Sequence, residues 1–223
     1  MMGMLPKTTN DQIRSIPIDC GSPIIISDAD EVLVVFMARF ESFLKHHGNY
    51  FNWSSFKLTG NVRRLSDDYI FSQKEVFSLL DNFFETETAT LDAVPGANEA
   101  LQYLSSRAQI IILSNVPAAY HTDRKVCLTK HGMDYPLIVN SGPKGPAVKA
   151  ISGKTHAPTF FIDDSPANIK SVANAANHVR RIHFVHDPRL AKLIGPAPDS
   201  HYRSDFWVRT KNIIDEELTA AGF

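Results

Sequence analysis

Asp28, Asp30 and Glu31 fall within four residues, directly after the apolar run IIIS at 24–27. Carboxylates crowded at a strand end repel one another, so a cation or a reacting group is needed to make the crowding worthwhile. Two further apolar runs end in polar groups of matching chemistry. Residues 109–113 lead into Ser114 and Asn115, and residues 159–162 lead into Asp163 and Asp164. Lys144 stands in the loop SGPKGP, after the apolar run at 137–140. In an open parallel sheet ligands bind beyond the carboxyl ends of the strands. Acids, a hydroxyl and an ammonium would then share one rim.

That set suits phosphate chemistry. Hard carboxylate oxygens suit Mg²⁺, which takes one or two carboxylates and leaves room for water and phosphate. The cation offsets the repulsion and keeps a carboxylate ionised as it meets an anionic phosphate. An aspartate can then attack phosphorus to form an aspartyl-phosphate. Lysine and a seryl hydroxyl can hold the non-bridging oxygens. Each fragment alone also has an ordinary reading. Acids at a strand end cap turns and helices, and Ser114-Asn115 has the form of an N-cap pair. Lys149 rivals Lys144, although PAVKAIS reads as a solvated helix face.

The elements that must position these groups alternate. Strand-length runs at 24–27, 109–113, 137–140, 159–162 and 181–185 are separated by helical patterns at 96–106, 118–130, 146–152 and 166–176. Such alternation predicts crossover units and a parallel sheet covered on both faces, an α/β fold of the doubly wound kind. Residues 34–92 break the alternation. Phe36, Phe40, Phe43 and Leu44 lie at helical spacing, and Ser72 to Glu75 has capping-box form before VFSLLDNFF. Between them the aromatic, turn-rich stretch at 49–69 reads as a loop or a short strand. The tail from Pro188 reads as loop-rich, ending in a helix over 209–218.

In this order the motifs resemble the haloacid dehalogenase-like hydrolase superfamily. DADEV at 28–32, led by IIIS, is similar to its motif I, and IIILSN ending at Ser114 and Asn115 to motif II. Lys144 is similar to the motif III lysine, and FFIDDS at 160–165 to motif IV. The resemblance implies a Rossmann-like core, formed by 1–33 and 93–223, with a small helical cap of the C1 type at 34–92. It implies a phosphatase acting on a small phosphorylated substrate. Asp28 would be nucleophile and Mg²⁺ ligand, and Asp30 the acid and base, with its backbone carbonyl on the metal. Ser114 and the Asn115 amide would hold phosphoryl oxygens, and Lys144 would pair with Asp28 and the phosphate. Asp164 would be the acidic metal ligand, with Asp163 behind it or reaching the metal through water. An acid at position 30 favours phosphoryl transfer over dehalogenation. A phosphotransferase or mutase, or a binding module that lost turnover, remains open on the same scaffold.

Glu31 departs from the pattern, because many members have glycine there. It either adds a carboxylate near the mouth, disfavouring strongly anionic substrates or binding a cationic group, or points into solvent. Arg63 and Arg64 in the insertion are candidates for reaching an anionic substrate, or a surface charge pair. His46-His47 reads as a solvated helix end, since adjacent positions face different ways.

The composition excludes other classes. The 223 residues are 43% hydrophobic, enough for one sizeable core, and the net charge of −1 leaves no footprint of a nucleic-acid or membrane binder. Cys20 and Cys127 lack metal-site spacing and read as two reduced thiols, with a disulfide between them as the alternative. No run has the length of a secretory signal or a membrane span. The expectation is a soluble cytoplasmic enzyme.

Overall fold

The computed structural model describes residues 5–223. In chain order its first half runs α1 (Lys7–Ser15), β1 (Ile24–Ser27), α2 (Met37–His46), β2 (Asn49–Phe51), β3 (Val62–Arg64), α3 (Gln73–Glu87) and α4 (Ala97–Leu104). There follow β4 (Gln109–Ser114), α5 (His121–Lys130), β5 (Leu137–Val139), α6 (Gly145–Ser152), β6 (Thr159–Asp163) and α7 (Pro166–Ala175). The chain closes with β7 (Arg180–Phe184), α8 (Pro188–Leu193), β8 (Tyr202–Ser204) and α9 (Trp207–Ala220).

Six strands form one parallel sheet in the order β5-β4-β1-β6-β7-β8. The chain leaves β1 toward β4 and β5, then returns to lay β6 on the other side of β1. The switch point therefore lies between β1 and β6, where a crevice opens at the carboxyl ends. Alternate residues bury on opposite faces, as the strand period requires. Ile25, Ile110, Ile112, Phe160 and Ile162 enter one core, and Ile24, Ile26, Ile111, Leu113 and Phe161 enter the other. The helices α1, α6 and α7 cover the second face.

The segment between β1 and β4 enters and leaves by paired chains. Val94 donates to the Leu33 carbonyl and Val35 to that of Asp92, both within 2.9 Å. Inside it, Phe83 of α3 meets Phe36, Phe40 and Phe43 edge-on at centroid distances of 5.0, 5.3 and 5.5 Å. Such pairs favour edge-to-face contact because ring edges are positive and faces negative. The capping box of Ser72 and Glu75 starts α3. The aromatic stretch contains an antiparallel pair, β2 with β3. Trp53, which gave no sequence signal, packs on Phe51 at 4.9 Å and under the Arg189 guanidinium at 3.9 Å.

The sequence reading passed over three elements, namely α1, α8 and the edge strand β8. Among the described residues no helix is long and apolar enough to cross a membrane. Cys20 and Cys127 are both free.

Candidate active site

Asp28 follows the last residue of β1, Asp163 is the last residue of β6 and Asp164 follows it, so the two central strands deliver three carboxylates to the switch point. The Asp28 amide donates to the Ile162 carbonyl at 2.9 Å, which continues the strand pairing up to the acid. Asp28, Asp163 and Asp164 each offer an oxygen, all within 4.8 Å of one another.

Lys144 enters this group from the N-cap of α6. It is wholly buried, with Nζ 2.6 Å from Asp28 Oδ1 and 2.8 Å from Asp163 Oδ2. Lys149 is exposed on α6, so the structure brings Lys144 and not its rival to the carboxylates. The close approach depends on Gly145. A Cβ there would lie 2.3 Å from the Ser171 carbonyl oxygen of α7, well inside van der Waals contact. Asp163 is held by Lys144, by the Ser165 amide at 2.9 Å and by Asn168 Nδ2 at 3.1 Å. Its oxygens are thus committed to the protein, while Asp28 and Asp164 open onto a cavity.

Burial pushes Asp28 up to about 6, against the pull of Lys144 and with the push of Asp163. Burial also raises Asp164 well above the usual carboxylate range, helped by Asp163 and Asp28. Lys144 is drawn down by burial, but Asp163 and Asp28 outweigh this and hold it above its ordinary value. A hard cation reverses the penalty on the acids. The carboxylate oxygens suit a divalent cation, with Asp28 and Asp164 as the residues that would hold it and Asp163 behind them.

Asp30 lies on the turn after β1, and its Oδ1 accepts from Arg124 Nη2 at 2.6 Å. Burial raises it and Arg124 opposes that. Sequence reasoning missed Arg124. Its one signal was its place on α5, three and four residues before the buried Cys127 and Leu128. Asn168, which orients Asp163, and His183 were missed too. Ala197 donates to His183 Nδ1, so His183 Nε2–H donates to the Asp164 carbonyl at 2.9 Å. No pattern in the sequence marks either residue.

Ser114 ends β4, fully buried, and its Oγ accepts the Val116 amide at 3.2 Å. Asn115 lines the cavity and is tied to the Lys144 loop, donating to the Gly142 carbonyl and accepting from Asn140.

Glu31 does not point into solvent. It is only 2% exposed. Its φ of 58° is left-handed, a conformation that favours glycine. The turn aims its Oε1 at the start of α2, where it accepts the amides of Phe36 at 2.9 Å and Met37 at 2.5 Å. Burial pushes Glu31 up to about 7, against the hydrogen bond from Met37. Its Oε2 is buried without a partner. Trp207 of α9 steadies the same turn by donating to the Val32 carbonyl at 2.7 Å.

Arg63 and Arg64 are not brought to the site. Arg63 pairs with Asp68 at 2.7 Å and Arg64 with Asp67 at 3.1 Å, and neither lines the cavity. His46 and His47 are exposed at the end of α2.

At the level of sequence, no family model matches the chain, nor does any curated protein. Solved structures do match. A HAD family hydrolase from Deinococcus radiodurans R1, with bound phosphate and sodium, aligns at TM-score 0.62 and 14% identity over 90% of this chain and 98% of its own. A HAD-hydrolase of Bacillus subtilis, YfnB, bound to magnesium, aligns at TM-score 0.59 and 14% identity over 87% and 99%. A haloacid dehalogenase-like protein from Agrobacterium tumefaciens aligns at TM-score 0.59 and 16% identity over 88% and 99%. The chain has the haloacid dehalogenase-like fold. The sequence resemblance is borne out at that level.

Proposed function

We propose that the protein is an enzyme hydrolysing a small phosphorylated metabolite, a phosphate monoester, through an aspartyl-phosphate on Asp28 with Mg²⁺ bound and residues 34–92 as the cap. One observation carries this reading. The Asp28 carboxylate meets a buried ammonium, belongs to a close group of three acids, and opens onto a cavity. A turn cap needs neither the ammonium nor the other acids.

Mg²⁺, when bound, would neutralise the acids and the phosphate so that one anion can approach another. An Asp28 oxygen attacks phosphorus as the ester P–O bond breaks, and the leaving oxygen takes a proton from Asp30. Asp30, now a carboxylate, takes a proton from water as that water attacks the acyl phosphate. Phosphate departs, and Asp28 and the Asp30 proton are restored. Lys144 keeps Asp28 aimed and takes a phosphoryl oxygen. The Ser114 hydroxyl and the Asn115 amide would take the others. Two free thiols agree with a reducing, cytoplasmic setting.

The test is phosphate release from a panel of monoesters, with Mg²⁺ and with EDTA, for the natural protein and Asp28→Asn. Release that needs both Mg²⁺ and Asp28 is expected. No release from any ester would leave a binding module.

A further inference from the structure

Building on the hydrolase reading, we propose that the substrate's leaving group is a small apolar or aromatic alcohol that carries no second anionic group. The cavity over Asp28 has a volume of about 260 Å³, below the roughly 300–1,000 Å³ of pockets for drug-sized ligands. Every residue the 34–92 segment gives to its wall is apolar: Phe36, Met37, Phe56, Leu58, Leu80 and Phe84. From the core side Leu190 of α8 extends that wall.

The charges around the cavity are one-sided. Asp28, Asp30, Glu31 and Asp164 line it, and Lys144 is the one cation among its described lining residues. Lys144 is already committed to Asp28 and Asp163. The arginines of the segment are engaged elsewhere, Arg39 with Glu87, Arg63 with Asp68 and Arg64 with Asp67. A carboxylate or second phosphate on the leaving group would lose its water against the apolar wall and find no uncommitted counter-charge among the lining side chains. A hydrocarbon or aryl body gains from the same wall.

Three aryl esters test this with Mg²⁺ present: phenyl phosphate, and the shape-matched pair 4-carbamoylphenyl phosphate and 4-carboxyphenyl phosphate. The last two differ chiefly in charge. We expect kcat/KM for the carbamoyl ester to exceed that for the carboxyl ester by ten-fold or more. Leu80→Lys, which puts an ammonium on the wall, should narrow or reverse that ratio. Equal or better turnover of the carboxyl ester by the natural protein would overturn the substrate class while upholding the hydrolase reading. An unchanged ratio in folded Leu80→Lys would overturn the role given to the wall. If that variant does not fold, the natural protein's ratio still decides. No release from any of the three would bring down the hydrolase reading, and the substrate class with it.

Discussion

Arg124, wholly buried on α5, donates from Nη2 to Asp30 Oδ1 at 2.6 Å, while its Nε and Nη1 meet no acceptor. The guanidinium spends its one bond on the carboxylate proposed as acid and base. It positions Asp30 without lining the cavity.

Arg124→Ala should therefore impair the proton transfers more than the attack on phosphorus. We expect kcat/KM for an alkyl phosphate, whose leaving oxygen needs a proton, to fall about a hundred-fold, the low end of general acid–base effects. Turnover of 4-nitrophenyl phosphate, with its stable leaving group, should fall less. Arg124→Lys should recover part of the alkyl activity, because it restores charge without the planar fork. Equal losses of kcat/KM on both esters, a ratio that ends at phosphorylation of Asp28 and leaves out the shared hydrolysis, would make Arg124 a packing residue only.

Mg²⁺ should stabilise the fold as well as support turnover. With the cation at about 100 times its dissociation constant, unfolding should cost about 2.7 kcal/mol more, read as a rise in Tm that EDTA reverses. Asp164→Asn should remove most of that rise. A rise of full size in Asp164→Asn would mean that the ion binds elsewhere.

Glu31→Gly and Glu31→Ala should part company in denaturant. Both lose the cap on α2, a loss of about 1 kcal/mol. Only glycine also relieves the left-handed backbone, which burdens other residues by roughly 1–2 kcal/mol. The glycine variant should thus be more stable than the alanine variant by about 1 kcal/mol or more. The reverse order in equilibrium unfolding would refute the backbone account.

Asp187 should give the stability curve an acid limb. It caps α8, and Arg189 binds it at 2.7 Å. Burial alone would raise it, yet the Arg189 hydrogen bonds outweigh burial and hold it below the usual carboxylate range. A depressed folded value means stability that is complete above the unfolded value, about 3.9, and lost as pH falls through the folded one. Asp187→Asn should flatten that limb in melts taken from pH 5 downward. An unaltered limb would assign the acid sensitivity to other carboxylates.

The core and the rim were legible because their signals are local. Runs such as IIIS and FFID bury on both faces, so hydrophobicity alone marked them, and each ended in its own polar group. The capping box at Ser72 and the phenylalanine spacing did the same for the insertion. Three-residue strands such as β2, β3 and β8 are too short to express a period. Glu31 and Arg124 failed for a different reason. Charged side chains are rarely fully buried, so composition argued for solvent. Only the turn after β1 and the inward face of α5 draw them inside.

Gly145 bears on how tolerance to substitution would be distributed along the chain. With a carbonyl oxygen 2.3 Å from where any side chain must begin, the position is closed to every other residue unless α6 and α7 separate. In a survey of all single substitutions it would score as poorly as Asp28, although it touches no reacting atom. Intolerance there would reflect the spacing of two helices, passed on to the carboxylate cluster through the neighbouring Lys144.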